Sequence, residues 1–490
     1  MVRSLLSPRG VLERVSFAGR PIVWGSVLYV SAVLFSATAY LRSESKQTLI
    51  LLALAALGPI GMYGALRTPL IFPFCAYILV LPFDSLSSLG SGGTLAKLLG
   101  VLTAGALFIR VVRRGQSIGA PSSIFAWLVL LGWMFFSMFW ALNVRDATGT
   151  FQMYASLIAL FALLSIARVT AAEFNCILGS IVIAGVISAG YDAYLYHTGQ
   201  GLVAANAGVS RVMIVVGSAS IDPNSLAAAL VLPSAIAIYW LFNSRYTLLS
   251  IAMLPTLALL LLGFAASGSR GGFVELAALF VYLIIRSRHR VWLGSLMVVA
   301  ALTTLAANPG LPARFADAQR DGAAGRSDIW HIGLFAFRDY WLTGAGVGNF
   351  PNAFDREYIN VYTRYVLGWH WPAHNVPLQI ATELGVLGLS IFVLATVLQF
   401  RILLNLALGN VSGFELRLAL EGAFLGIVVS GFSTSNLNAK YVWLSFSIMA
   451  LYRGYLLTSS KKRSVKHGSV STVAPGHSRY EDPSLIAISK

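Results

Sequence analysis

Apolar runs of membrane-spanning length constrain the fold of this chain more than any other feature. They recur from near the N-terminus to about residue 456, and an α-helix needs roughly 20 apolar residues to cross a bilayer. Hydrophobic residues fill 57% of the 490 positions and charged residues only 11%, whereas soluble domains have about 25% charged residues. The sequence predicts an all-α, polytopic transmembrane helical bundle and excludes a soluble multi-domain protein.

We predict about fourteen spans; twelve are also compatible, because the segments 69–83 and 271–286 are short. The predicted spans are 22–41, 48–66, 69–83, 95–112, 123–141, 150–167, 174–196, 225–242, 248–266, 271–286, 291–307, 376–400, 414–432 and 438–456.

The basic residues set the predicted orientation. Net charge is +16, but there is no nucleic-acid-binding motif, and arginines concentrate in alternate short loops, as the positive-inside rule requires. With the N-terminus inside, residues 1–21 form a cytoplasmic terminus, 22–307 and 376–456 hold the transmembrane helices, and 457–490 form a disordered cytoplasmic tail. Membrane lipids are then the surrounding partner.

Residues 308–375 form a large loop on the outer face in this threading. A connection of this length is usually functional when ordered. Its arginines and acidic residues balance, and the stretch RSDIWHIGLFAFRDYW has apolar residues at helical spacing. We expect short helices lying at the membrane surface.

Four polar motifs reach this outer face from separate parts of the chain. They hold Arg211 before IDPNSLAAAL, Arg270 in SGSRGGF, Arg326 in GRSDIW and His374 in PAHN. The three arginine motifs each have an ordinary structural explanation: Arg211 can snorkel to lipid headgroups, Arg270 can pair with Glu275, and Ser327 can cap a surface helix. Their convergence favours a site over any of these explanations.

Helix-initiating residues surround two of these motifs. Asp222 can cap a helix that starts at Pro223, and Asn375 can cap one with Pro377 in its first turn. His374 then lies just outside the helix, where an imidazole can accept a proton. Glu383 lies about 12 Å deeper at ~1.5 Å per residue. A carboxylate inside the membrane needs a partner, and we expect an arginine or the amide of Gln379.

The choice of cation points to the ligand. No lysine occurs between Lys97 and Lys440, so every fixed positive charge there is an arginine. Arginine presents a planar fork of donors that suits phosphate oxygens, which favours an anionic phosphorylated ligand. The chain has no HExxH, cysteine-pair or Asp-x-Asp metal motif and no Walker loop, so we predict neither a metal nor a cofactor.

These motifs resemble the O-antigen ligase and O-antigen polymerase superfamily of bacterial envelope glycan enzymes. The resemblance rests on Arg211…DPNSLA, SGSRGG, GRSDIWHIGLFAFRDYWLTGAGVGNFPNAF and HNVPLQIATELGVLGL. It implies a multi-helix protein of the bacterial inner membrane whose active site faces the periplasm. It also implies metal-independent glycan transfer from an undecaprenyl-diphosphate carrier to a sugar hydroxyl.

The resemblance also suggests roles for residues. The family's periplasmic arginines correspond to Arg211 and to either Arg270 or Arg326, and its loop histidine corresponds to His374. Arginine forks would stabilise the diphosphate leaving group, and His374 would take the acceptor proton. Glu383 would brace the arginines. The candidates for stacking on sugars are Trp369, Trp371 and Tyr365.

Three functions remain open at this point. A ligase transfers the glycan to lipid A-core, and this is the reading we favour. A polymerase transfers it to a carrier-linked repeat unit. A proton-coupled anion transporter would also place arginines and a carboxylate in the membrane, but the long outer loop and the lack of internal repeats count against it.

Overall fold

The computed structural model describes residues 61–87, 93–115, 117–204, 210–216, 219–307, 325–361, 368–403 and 411–468, together with residues 310, 312 and 316. The predicted span 22–41 and most of 48–66 lie outside the described residues, as do residues 469–490 of the predicted tail.

The described chain is built almost entirely of α-helices. The first part contains α1 Phe74–Val80, α2 Leu95–Arg114, α3 Ser122–Ser137, α4 Val144–Ile166, α5 Ala171–Thr198, α6 Pro223–Ala229 and α7 Val231–Asn243. The second part contains α8 Thr247–Ser267, α9 Arg270–Arg286, α10 Arg290–Ala307, α11 Arg326–Asp339, α12 Phe350–Tyr358, α13 Val376–Phe400, α14 Val411–Ser430 and α15 Lys440–Gly468.

Eight of the spans within the described residues are long and apolar enough to cross a membrane. Large apolar side chains such as Phe125, Phe136 and Leu302 are more than half exposed on their outer faces, as expected where lipid rather than water surrounds the bundle. The structure thus confirms the predicted polytopic helical membrane protein.

Some boundaries differ from the predicted spans. The segment 69–83 contains only the seven-residue α1, followed by a 3₁₀ turn at Leu81–Leu86, because Pro73 and Pro82 interrupt a continuous helix. At the other end, α15 continues to Gly468, beyond the predicted limit at residue 456.

Two short β-hairpins connect α5 to α6, where the sequence analysis predicted no strands. Strands β1 Leu202–Ala204 and β2 Ser210–Val212 pair antiparallel, as do β3 Ile214–Val216 and β4 Ala219–Ile221. Val212, Ile214 and Ile221 are buried and pack with Leu195 of α5 and Leu226 of α6. The hairpins are thereby fixed to the ends of the helices.

Helix α13 is kinked at Gly385, which has φ 69° and ψ −173°. The amides of Ala345 and Gly346 donate to the carbonyls of Thr382 and Glu383, each over 2.9 Å. A Cβ on Gly385 would overlap the Leu342 carbonyl, so a glycine is required at this close approach. The segment between α11 and α12 is therefore inserted against the kink.

The outer-loop helices share a small core. Ile329 and Ile332 of α11 pack with Phe350 and Phe354 of α12 and with Ala373. Because Ala373 belongs to this core, the core fixes the position of the chain directly before His374 and the start of α13. We call the end of the bundle that holds this core, the hairpins and the start of α9 the site end.

Candidate active site

The structure brings Arg211, Arg270, Arg326, Asp222 and His374 together at the site end. Burial lowers the pKa of Arg326 most, and the neighbouring positive charges of Arg270 and Arg211 lower it further, while Asp222 acts in the opposite direction. Groups must lie close together to shift one another's pKa in this way. The predicted convergence of the four motifs is therefore present in the fold.

Arg211 is held by the first hairpin, where it pairs with Val203 across the strands. Its Nη2 lies 4.0 Å from Asp222 Oδ1, and the side chain is 19% exposed. Among the described residues its buried Nε and Nη2 atoms have no hydrogen-bond partner. Burial lowers the pKa of Arg211, and Arg270 lowers it further against the opposing effect of Asp222. Buried, unpaired donors are costly, so this guanidinium is suited to an anionic ligand.

Arg270 occupies the first position of α9, and two motifs cooperate to place it. The Ser269 hydroxyl accepts from the Gly272 amide over 3.1 Å and donates to Asn224 Oδ1 over 2.7 Å. A Cβ on Gly272 would overlap Ala227 of α6. Gly272 of SGSRGGF therefore permits a close approach between α9 and α6.

Asp222 caps α6 as predicted. Its Oδ2 accepts from the backbone amides of Asn224 and Ser225 over 3.0 and 3.2 Å. Because the side chain is 55% exposed, its contact with Arg211 is a weak ion pair. Asp222 thus starts the helix that carries Asn224.

Arg326 is the first residue of α11, and Ser327, the alternative cap considered from the sequence, does not cap this helix. The N-cap is Gly325 in the left-handed region at φ 78°, with no side-chain cap. Ser327 already lies inside the first turn, since the chain enters the helix through a conformation that glycine adopts readily. The helix start places the Arg326 guanidinium beside His374.

His374 lies just before α13 in a left-handed backbone conformation, φ 48°. The carbonyl of the preceding Ala373 accepts from Trp330 Nε1 over 3.0 Å. Burial lowers the pKa of His374 to about 4, and the charge of Arg326 contributes. The imidazole is therefore neutral at neutral pH and has a lone pair available.

Asn375 caps α13 as predicted and also joins it to α14. Its side chain accepts from the Leu378 amide over 2.9 Å and donates to the Phe432 carbonyl over 3.1 Å. The Val376 amide donates to the Gly431 carbonyl over 2.6 Å. The turn after α14 therefore fixes the backbone next to His374.

Glu383 is fully buried, but its contacts differ from the expected arginine brace. Its Oε2 accepts from the Gly348 amide over 2.8 Å, and its Oε1 accepts from the Gln379 amide over 3.1 Å. No ion pair joins Glu383 to an arginine in the described part of the chain. Of the two partners expected from the sequence, the Gln379 amide is the one present.

The two tryptophans before His374 are accessible. Trp369 is 60% exposed and Trp371 is 38% exposed, and the Trp371 ring centroid lies 6.5 Å from that of His374. Tyr365, the third predicted stacking residue, lies outside the described residues. No group of three or more His, Cys, Asp or Glu that could hold a metal ion occurs among the residues described.

The sequence between α8 and the middle of α13 resembles a known protein family. Residues 255–393 match the O-antigen ligase family. The match includes Arg270, Arg326, His374 and Glu383, and it ends after the kink of α13. No curated protein matches the chain.

The family match supports membership in the O-antigen ligase superfamily and a membrane glycosyltransferase-type enzyme acting on polysaccharide or lipid-linked substrates. The match is compatible with both a ligase and a polymerase, two of the functions left open by the sequence. Arg211 lies N-terminal to the matched region, and the fold nevertheless places it with the matched arginines.

Sequence reasoning missed two residues that position the site. Asn224 and Ser269 link the motifs of Arg211 and Arg270, yet neither residue was assigned a role from the sequence. The signal was the serine directly before Arg270, which is a common N-cap. The second hydrogen-bond partner of Ser269, Asn224, could not be deduced, because the two residues lie 45 positions apart in the sequence.

Proposed function

We propose that the protein transfers a glycan from an undecaprenyl-diphosphate carrier to a sugar hydroxyl of lipid A-core, at the periplasmic face of the bacterial inner membrane. The observation that carries the proposal is the meeting of Arg211, Arg270 and Arg326 with a neutral His374 at one end of the bundle. Three arginines suit a diphosphate, and the neutral imidazole suits a hydroxyl proton.

The donor diphosphate would lie against the arginines. Arg211 offers two buried donors without hydrogen-bond partners in the described chain, and a diphosphate would satisfy them with charge-assisted hydrogen bonds. When the anomeric C–O bond breaks, the electron pair stays on the carrier diphosphate. The arginines stabilise the negative charge that grows there, an electrostatic effect that is often the largest in catalysis.

His374 would receive the proton of the acceptor hydroxyl. The hydroxyl O–H bond breaks, its proton passes to the ring nitrogen, and the oxygen forms the new bond to the anomeric carbon. A base with a pKa of about 4 is weak, but a bound diphosphate would offset the charge of Arg326 and raise the pKa of His374. Donor binding would thus make His374 a better base, and the proton would then leave to water.

The glycans of a deletion strain test the acceptor. We expect polymerised glycan that stays on the carrier and does not reach lipid A-core. Single repeat units attached to the core, or the loss of a secreted polysaccharide, would replace the ligase proposal with the polymerase.

A purified-protein assay tests the donor chemistry. With a glycan linked to undecaprenyl diphosphate and rough lipopolysaccharide, we expect stoichiometric release of carrier diphosphate and extended lipopolysaccharide. A transporter releases no carrier diphosphate. If folded, purified protein released no carrier diphosphate from the donor, the proposed transfer would be refuted.

A further inference from the structure

A second histidine in the outer-loop segment is held by a carboxylate. His370 Nδ1 lies 2.6 Å from Asp355 Oδ2, and the His370 amide donates to Asp355 Oδ1 over 2.7 Å. Asp355 belongs to α12, so this double contact attaches the segment before His374 to a helix of the outer-loop core. The proposed transfer chemistry uses neither residue.

The contact fixes which ring nitrogen is available. A carboxylate accepts hydrogen bonds, so in the neutral imidazole of His370 the proton lies on Nδ1 and the lone pair on Nε2. The His370 side chain is 57% exposed even though it is bonded to Asp355. Its backbone has φ 64°, a conformation that is uncommon for residues other than glycine. An oriented, accessible hydrogen-bond acceptor is thus held in place at the cost of some backbone strain.

Exposed aromatic rings stand on both sides of His370. Trp369 is 60% exposed and packs edge-on against Tyr358, with centroids 5.3 Å apart at 76°. Trp371 is 38% exposed. Because Tyr358 contacts Trp369 in a T-shaped arrangement, it fixes the ring while much of its surface remains free.

We infer that Trp369, His370 and Trp371, with Asp355 behind them, form the subsite for the acceptor sugar. Pyranose rings combine an apolar C–H face with hydroxyl groups around the edge, so an aromatic surface next to an oriented acceptor nitrogen is complementary to them. His370 Nε2 would accept from a sugar hydroxyl, and Asp355 would polarise the imidazole. This inference rests on the proposed function.

The position of the subsite suits an acceptor more than a donor. His370 precedes His374 by four residues, which separates their Cα atoms by at most about 14 Å. That span accommodates a sugar between His370 and the proposed base. The arginines lie on other elements, the first hairpin and the starts of α9 and α11, so the subsite and the diphosphate site are built from separate parts of the chain.

Exposed tryptophans at the end of a membrane bundle have an alternative role as interfacial anchors. Trp341 provides the matched control, because it is 56% exposed in the same outer-loop region and takes no part in the subsite. Trp341→Ala measures the effect on the protein of losing an exposed tryptophan outside the subsite. Trp369→Ala is compared with it directly.

His370→Asn removes the proposed sugar contact but keeps the contact with Asp355. Asparagine tolerates the left-handed backbone, and its side-chain NH₂ can still donate to Asp355, so the segment stays attached while Nε2 is lost. We expect His370→Asn and Trp369→Ala each to raise the KM for rough lipopolysaccharide about tenfold, as the loss of one good contact predicts. The kcat and the KM for the carrier-linked donor should change less than twofold, and Trp341→Ala should match the wild type.

Binding of the acceptor sugar can be measured directly, without glycan transfer. Saturation-transfer NMR of delipidated core oligosaccharide with the purified protein, without donor, should show contact signals that weaken in His370→Asn and Trp369→Ala and persist in Trp341→Ala. The inference is overturned if both subsite variants keep the wild-type acceptor KM and binding signals. It is equally overturned if Trp341→Ala loses the signals to the same extent, which would indicate membrane anchoring.

The two proposals fail in different ways. A wild-type protein that transfers no glycan contradicts the proposed function, and the NMR arm still decides whether the subsite binds the sugar. A wild-type protein that transfers normally, with subsite variants unchanged, contradicts only the subsite.

Discussion

The Ser269 hydroxyl donates to the side-chain oxygen of Asn224 over 2.7 Å, which joins two motifs that lie 45 residues apart. Ser269 is at the same time the N-cap of α9, and Asn224 lies in the first turn of α6, which Asp222 caps. The position of Arg270 relative to Arg211 therefore depends on this contact between two helix starts.

Asn224→Ala should reduce transfer about tenfold while the protein still inserts. The substitution removes the partly buried hydrogen bond from Ser269 and the exposed one to Asp222. A partly buried bond of this kind is worth about 1 kcal/mol, and its loss frees the start of α9, so the arginines lose their relative geometry. Initial rates and the melting temperature of the detergent-solubilised protein measure the two effects. Ser295→Ala is the control, since among the described residues Ser295 bonds only to a carbonyl of its own helix. Equal activity in both variants would contradict a positioning role for Asn224.

The three arginines can be ranked by replacing each with lysine. Lysine keeps the charge but loses the planar fork, so a residue that grips the diphosphate with two donors should lose roughly 10- to 100-fold in kcat/KM. Arg211→Lys should fall in this range, because its buried Nε and Nη2 have no hydrogen-bond partner in the described chain. Of Arg270 and Arg326, the one that tolerates lysine has a structural role. Full activity in all three variants would rule out diphosphate binding at this cluster.

The acid limb of the pH profile should depend on Arg326. Protonation removes the lone pair of His374, whose pKa of about 4 in the free protein predicts that kcat/KM stays level from pH 7 to about pH 5 and falls only near pH 4. Arg326→Gln removes a positive charge that lowers this pKa, so the acid limb should move to higher pH. NMR titration of labelled histidine checks the shift even if activity is low, and an unchanged titration would show that Arg326 does not act on His374.

The helical class and the convergence of the four motifs were predictable from sequence, for two physical reasons. Spans of the required length stand out in any hydropathy pattern. Whether an odd or an even number of spans precedes a loop then decides on which side of the membrane the loop lies. Arg211, Arg270 and His374 each lie close to a span end on the same side, and Arg326 lies in the long loop on that side, so counting spans sufficed to bring them together. Asp222 and Asn375 were equally accessible, because capping is a local property.

Long-range partners were not predictable in the same way. Glu383 pairs with the Gly348 amide, a backbone group that no composition or spacing marks out. The contact of His370 with Asp355 depends on how α12 packs against the segment before α13. The hairpin that carries Arg211 has strands of only three residues, too short for alternation to stand out.

Reporter fusions should establish the orientation. Alkaline phosphatase inserted after Gly322 should be active, because the outer loop then lies in the periplasm, and a fusion after Lys462 should be inactive. The basic residues Arg286, Arg288 and Arg290 fix this orientation through the positive-inside rule, and a fusion after Arg288 serves as a second cytoplasmic point. An inactive fusion at Gly322 would place the arginine cluster in the cytoplasm, where the proposed lipid A-core acceptor is not presented.

Substitutions of Glu383 distinguish an anchor of the outer loop from an electrostatic brace. In Glu383→Gln the carbonyl oxygen can still accept from the Gly348 amide, so an anchor should keep most of its stability and activity. Glu383→Ala leaves the Gly348 and Gln379 donors unpaired inside the bundle, which costs about 1–3 kcal/mol for each buried group. It should lower the melting temperature and release the segment inserted at the Gly385 kink. If charge alone mattered, as a brace for the arginines requires, Gln and Ala would be equally damaging. Melting curves and transfer rates of the two variants decide between these roles.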